Sequence, residues 1–287
     1  MSAQSTTEKP AETAPVYQPH DYWNARLEKE FSLAGVGHAS VGLKFNRWAY
    51  QIRRKVLVRT LSDLGISIRD AKMLELAFGT GFYLDLWREL GVKSVYGVDI
   101  ADVAVKSALE RFKGLNWRLE TGDIGQPLPL GEFTGSCEVT TAFDVLFHLT
   151  EDASWNGALD NLTAALKPGG HVIIFDKFQR EETGVSHVKR RTLVTYQAAL
   201  EKRGLEIRTI RPIFFFMNSP TDLSFISKLF FKTGWSLVKT PYKVGKKLGC
   251  AEALGGMTGA LLYGPELLLG KLFSSGPSTK ILVARKK

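Results

Sequence analysis

The sequence predicts an α/β fold, a doubly wound and mostly parallel sheet with helices on both faces, and three observations predict it. Residues 73–81, Met-Leu-Glu-Leu-Ala-Phe-Gly-Thr-Gly, read as a short apolar strand with one acid, Glu75, running straight into a glycine turn at Gly79 and Gly81. A second apolar strand ends in an acid, Asp99, 24 residues beyond Glu75. After that, strand-like and helix-like segments alternate with short connections, the pattern of a parallel sheet covered on both sides.

The elements follow in order. The glycine turn leads into a helical run, Phe82 to Leu90, and glycine there lets the backbone turn sharply and a ligand come close without a Cβ in the way. Lys93 to Ile100 forms the second strand and Ala101 to Phe112 a helix; Trp117 to Thr121 is a third strand, followed by the loop Gly122-Asp123-Ile124. Glu138 to Ala142 leads into Phe143-Asp144-Val145-Leu146-Phe147-His148; Asn156 to Leu166 is helical, Lys167-Pro-Gly-Gly170 turns, and His171 to Asp176 is a buried strand. Gln179 to Lys189 is a polar loop containing His187, Arg191 to Arg203 a helix, and Leu205 to Phe216 a sixth strand. A strand-to-glycine-turn-to-helix unit is how a nucleotide-bearing ligand is seated at the head of such a sheet, and Asp99 lies near the offset of roughly 20 residues at which a carboxylate meets ribose hydroxyls.

This series resembles the class I S-adenosylmethionine-dependent methyltransferases over residues 71–216 and the last strand. The matching pieces are Glu-Leu-Ala-Phe-Gly-Thr-Gly, Gly-Val-Asp99, Gly122-Asp123-Ile124, Phe-Asp-Val-Leu-Phe-His and Leu-Lys-Pro-Gly-Gly-His-Val. A dinucleotide-binding Gly-x-Gly-x-x-Gly would need a third glycine where Leu84 stands. The resemblance implies a seven-stranded Rossmann-like sheet whose last strand, Thr279 to Arg285, runs antiparallel beside the sixth. It implies S-adenosylmethionine as cofactor, with Glu75, Ala77, Gly79 and Gly81 around its methionine part, Asp99 on the ribose and Ile100 on the adenine. Asp123 and Ile124 would meet the adenine edge, and Phe143 would line the pocket near the sulfonium. Two departures are Ala77, where a first glycine is usual, and Phe78, where a small residue is common; alanine is expected to be mild because the left-handed requirement falls on later positions, and Phe78 to pack behind the loop. An acid ending a buried strand, such as Asp99, can also cap the next helix.

Composition bounds the rest. With 287 residues the chain buries a full core as one domain with additions. Residues 1–18, rich in Ser, Thr, Glu, Pro and Ala, are expected to be a mobile tail without the basic start and apolar run of a signal peptide. Cys137 and Cys250 provide neither a disulfide framework nor metal-ligand spacing, so no metal is expected and a cytoplasmic setting is the default. The net charge is +9, and residues 222–287 hold eleven Lys or Arg against three acids. The excess therefore sits outside the cofactor-binding half and points to a separate surface there.

Two additions flank the core. Residues 19–65 hold His20, Tyr22, Trp23, Trp48, Tyr50, Arg53 and Arg54, with an amphipathic helix from Arg47 to Leu64. In the resembled family such N-terminal helices close over the cofactor; packing of an extra helix on the sheet is the plain alternative. Residues 217–278 separate the last two strands, which are normally joined tightly, and an insertion of that length is usually functional. It mixes aromatics with Lys228, Lys232, Lys239, Lys243, Lys246 and Lys247, and then runs apolar from Ala251 to Phe273, broken at Glu252 and Gly264-Pro265-Glu266. Residues 222–273 are expected foremost to be a lid or homodimer face, because apolar faces on inserted helices are most often packed, with a peripheral contact to anionic lipid or a nucleic-acid contact as the alternatives.

The resemblance makes the chemistry one of alignment, since a sulfonium methyl is already activated and orientation supplies most of the rate. An oxygen or nitrogen acceptor also needs its proton removed. Candidates are His148 and Asp144 after the fourth strand, His187 after the fifth and His20 on the cap, with His148 equally readable as a helix-start histidine held by local hydrogen bonds. The fourth strand lacks an Asn-Pro-Pro-Tyr motif and the chain lacks a Pro-Cys nucleophile, which argues against base methylation. A small-molecule or lipid-like acceptor methylated on a hydroxyl is the leading expectation. A nucleic-acid methyltransferase using the basic C-terminal region and a non-catalytic cofactor-binding scaffold are the alternatives.

Overall fold

The computed structural model describes residues 17–185, 187–221 and 225–287, without the side chains of residues 225–228. Most of the expected tail lies outside the described residues, but Tyr17 is placed and packs edge-on against Tyr22, with ring centroids 5.5 Å apart.

Helix α1 (Pro19–Lys29) begins on a proline, whose fixed φ suits a first helical turn. Helix α2 (Gly42–Asp63) begins five residues before Arg47, where the local pattern started it. Its cap comes from far along the chain: the Glu252 carboxylate accepts the Leu43 and Lys44 amides at 3.0 and 2.8 Å.

The core then alternates: β1 (Lys72–Leu76), α3 (Phe82–Glu89), β2 (Ser94–Asp99), α4 (Asp102–Arg111), β3 (Arg118–Thr121), β4 (Cys137–Phe143), α5 (Asp152–Ala165) and β5 (Leu166–Asp176). The Lys167–Gly170 segment, expected as a turn, is absorbed into β5 with a register shift between the partners of Cys137 and Val139. A short hairpin of β6 (Thr183–Val185) and β7 (Val188–Arg190) replaces the expected polar loop. The chain continues through α6 (Leu193–Glu201), β8 (Leu205–Pro212), α7 (Phe225–Leu248), α8 (Ala251–Leu272) and β9 (Lys280–Lys286).

The main sheet has seven strands in the order β3-β2-β1-β4-β5-β9-β8, and β9 runs antiparallel to both neighbours. Strand alternation sends successive side chains to opposite faces. Met73, Val95, Val139 and Ile173 pack under α2 and α3, while Leu74, Val98, Ala142 and Ile174 pack under α5 and α6. Strand order reverses between β1 and β4, so a crevice opens at the carboxyl ends of those strands.

The insertion is a helical hairpin turned at Gly249, whose φ of 72° is left-handed. Helix α8 runs unbroken through Gly264-Pro265-Glu266. Glu266, the acid that interrupts the apolar run, is 1 % exposed, turns inward and accepts the amides of Phe215, Phe216 and Met217 at 2.7, 2.5 and 2.5 Å. Close approach of α8 to α2 depends on Gly255 and Gly259, where a Cβ would lie 2.8 Å from the Val41 carbonyl and 2.6 Å from the Trp48 ring.

Candidate cofactor and acceptor cavity

A cavity of about 450 Å³ lies at the carboxyl ends of β1, β2 and β4, roofed by Tyr17, Trp23 and Leu27 of the N-terminal segment. Its floor is the turn after β1. Ala77, Gly79 and Gly81 all take left-handed φ values, 58°, 53° and 74°. Ala77 therefore shares the requirement that the sequence reading reserved for later positions. Its amide donates to the Val98 carbonyl at 2.7 Å, which pins the turn to β2 despite the unfavourable contact of its Cβ. Phe78 packs behind the turn as expected, in room that Gly97 leaves: a Cβ there would lie 3.1 Å from the ring.

Asp99 is buried at the end of β2, accepting the Gly79 amide at 2.7 Å and the Ala101 amide at 2.9 Å. Burial raises its pKa, against the lowering by those amides. The acid thus ties down the start of the next helix and also faces the cavity, so the two readings of it coexist. Asp123 accepts the Gly125 amide at 2.8 Å in the same wall, beside Ile124 and Ile100.

Seven of the nine expected cofactor-binding residues line the cavity: Ala77, Gly79, Asp99, Ile100, Asp123, Ile124 and Phe143. Glu75 and Gly81 do not. Gly81 opens α3. Glu75 is buried and accepts a hydrogen bond from the Trp87 indole, and burial, with Asp99 nearby, pushes its pKa up to about 8, so its carboxyl is mainly protonated at neutral pH.

The inner end of the cavity is built after β4. Asp144 holds a left-handed φ of 54°, and Arg53 donates to its carboxylate at 2.9 Å. Arg53 is itself buried between the rings of Tyr50 and Phe214, 4.9 and 4.7 Å away. A charge so placed survives burial only with a partner, and Asp144 is that partner. Phe143 stacks obliquely on Tyr83, centroids 4.4 Å apart, and the Tyr83 hydroxyl is buried without a hydrogen-bond partner in a residue that lines the cavity.

His148 ends a single helical turn, Leu146–His148, rather than starting a helix. Its Nδ1 lies 3.1 Å from the His187 carbonyl. A carbonyl only accepts, so Nδ1 carries the proton and Nε2 keeps its lone pair. Burial drops the His148 pKa to about 4, leaving the imidazole neutral. His187 does not line the cavity; its ring stacks on Tyr22 with centroids 5.9 Å apart, and its backbone orients His148. His20 sits on the outer surface, bonded to Asp21, Asn24 and Asp102, away from the cavity. Tyr17 and Tyr83 were not singled out from sequence. Tyr83 carried one usable signal, its place in the first helical turn after the glycine loop.

Among the described residues no group of three or more His, Cys, Asp or Glu is arranged to hold a metal. The cavity fits S-adenosylmethionine: it has the volume of a nucleoside-sized ligand, a floor of backbone that only small residues allow, and an acid at the end of β2.

The family pattern of a methyltransferase domain matches residues 73–170. Among curated proteins none matches the chain. Among solved structures, a candidate sarcosine dimethylglycine methyltransferase from Galdieria sulphuraria is similar at 20% identity and TM-score 0.52, over 81% of this chain and 84% of that one, which is a likeness of fold. An S-adenosylmethionine-dependent methyltransferase from Mesorhizobium loti aligns at 14% identity and TM-score 0.49, over 79% of this chain and 96% of that one. The chain thus carries a methyltransferase domain over residues 73–170, the stretch whose strands build the cavity, on a Rossmann-like methyltransferase fold, and S-adenosylmethionine is the cofactor that domain implies.

Proposed function

We propose that the chain methylates a hydroxyl of a small acceptor with an apolar or lipid-like body, and that His148 receives the hydroxyl proton. S-adenosylmethionine, when bound, supplies a methyl group on a positively charged sulfur. Asp99 would hold its ribose, Ile100, Asp123 and Ile124 its adenine, and Ala77 and Gly79 its methionine part. Phe143 would border the reacting end. The remaining wall, with Trp23, Leu27, Tyr50, Phe82 and Tyr83, is aromatic and aliphatic and suits an apolar acceptor body. Asp144, held by Arg53, and the unpartnered Tyr83 hydroxyl would orient the acceptor's polar group.

The observation that carries this reading is the bond between His148 Nδ1 and the His187 carbonyl, which leaves Nε2 as the acceptor nitrogen of a histidine that lines the cavity. The low pKa keeps that lone pair available at neutral pH. Loss of a positioned base costs about 10²–10⁴-fold in rate. His148→Gln, assayed for donor turnover against a panel of hydroxylated aromatic and acyl acceptors, should keep its affinity for S-adenosylmethionine and lose turnover on that scale. Turnover equal to wild type would sink the base assignment.

A further inference from the structure

Ten of the fifteen large hydrophobic side chains exposed among the described residues lie between Leu229 and Phe273. Their spacing is helical. On α7, Phe230, Leu237, Val244 and Leu248 stand seven, seven and four residues apart, so they share one face. On α8, Met257, Leu261, Leu268 and Leu272 stand four, seven and four apart and form a second stripe, opposite the glycines that meet α2. Leu261 is 75% exposed and Leu237 65% exposed, although both belong to helices packed elsewhere on the protein.

The same hairpin is strongly cationic. Helix α7 contains six lysines and no acid in its 24 residues. Lys232, Lys239, Lys243 and Lys246 lie on a side of α7 separate from its apolar stripe, and Lys239 and Lys246 lean over the rings of Trp235 and Tyr242 at 5.6 and 5.3 Å. At the opposite edge of the hairpin, Lys44 lies against Gly256 and Lys55 over the ring of Tyr263 at 5.5 Å. The two acids of the hairpin do not offset this charge outward, because Glu252 and Glu266 are turned to backbone amides.

We propose that the outer face of the α7–α8 hairpin is a docking surface for an anionic lipid bilayer, on which it lies with its apolar stripes in the headgroup–acyl boundary and its lysines among the headgroups. No helix among the described residues is long and apolar enough to cross a membrane, so the hairpin rests on the surface. Charge decides the occupant. A second copy of the same face would set a lysine-rich, acid-free helix against its own like, whereas anionic headgroups supply the missing counter-charge. This inference does not rest on the acceptor assigned above, and it fails or stands separately from it.

The test is co-sedimentation of the full chain with sucrose-loaded vesicles of phosphatidylcholine, with and without 30 mol% phosphatidylglycerol. Partitioning should be at least tenfold higher on the anionic vesicles and should fall with salt. Lys232→Glu/Lys243→Glu/Lys247→Glu and, separately, Leu261→Gln/Leu268→Gln should each lose at least tenfold in partitioning while keeping wild-type melting temperature and S-adenosylmethionine affinity. Equal pelleting of wild type and both folded variants would overturn the proposal. So would a wild type that ignores vesicles and instead dimerises in light scattering, or binds a DNA duplex, through the same leucines or lysines.

Discussion

The carboxylate of Asp99 accepts a hydrogen bond from the amide of Gly79 at 2.7 Å, so the end of β2 and the turn after β1 are held as one unit. One acid thereby shapes the floor of the cavity and remains in its wall for a ligand. Removing it takes away both effects. Hydrogen bonds to a charged group are worth about 1.5–3 kcal/mol, so Asp99→Ala should weaken S-adenosylmethionine binding by roughly tenfold to a hundredfold in titration calorimetry. An unchanged dissociation constant would refute the ribose assignment.

Ala77 is a non-glycine residue with a φ of 58° in the turn that carries the cofactor site. The left-handed conformation costs an L-residue about 1–2 kcal/mol, while glycine loses about 0.4–1 kcal/mol through its more flexible unfolded chain. Ala77→Gly should therefore raise stability by about 0.5–1 kcal/mol in urea unfolding, with cofactor affinity kept. A clear loss of stability would show that the alanine methyl packs favourably enough to outweigh its backbone strain.

Gly97 and Phe78 are a matched pair. A methyl on Gly97 would sit 2.6 Å from the Leu119 side chain and 3.1 Å from the Phe78 ring. Overpacking of this kind costs about 1–3 kcal/mol. Gly97→Ala should lower the melting temperature and also weaken cofactor binding, because the ring it displaces supports the turn. A Leu119→Ala background should recover part of the loss, and no recovery would mean that the backbone rather than these side chains takes up the strain.

His38 gives the fold a pH signature. It is buried and donates from Nε2 to the Asn218 side chain at 2.5 Å; burial, with Lys177 adding to it, drops its pKa from 6.5 to about 4. Above pH 6.5 both folded and unfolded forms are neutral and the group contributes nothing. Between 6.5 and about 4 the unfolded chain takes up a proton that the folded one refuses, so stability falls as pH falls, by about 1.4 kcal/mol per unit. Glu75, with its pKa raised to about 8, acts in the opposite sense, its contribution shrinking as pH rises from its ordinary 4.5. Comparing wild type with His38→Gln at pH 7, 6 and 5 cancels the Glu75 effect, and the variant should show the shallower acid loss. Parallel slopes would mean that His38 is not neutral in the folded protein.

The sheet was legible in the sequence because each strand writes a local signal: an apolar run ended by glycine or an acid. Seven of the nine expected cofactor contacts line one cavity for the same reason, since the ends of parallel strands share one edge of the sheet. Elements capped by distant residues were read less well. The start of α2 depends on Glu252, and the docking of α8 on residues 215–217 depends on the amides that Glu266 collects there. A local reading took both acids as interruptions of an apolar run.

Sequence by itself determined the strand–turn–helix order, the methyl donor that this order implies, and the concentration of positive charge in the last quarter. All three are properties of residues near one another in the chain. Tertiary structure alone decided which histidine enters the cavity wall, since the sequence ranks His148 and His187 alike, ahead of His20, and only His148 of the three lines it. It also decided that Arg53 of α2 meets Asp144 after β4, and that the apolar stripes of α7 and α8 stay exposed while their glycines and glutamates turn inward. Those are matters of which surfaces meet, and burial, not spacing along the chain, settles them.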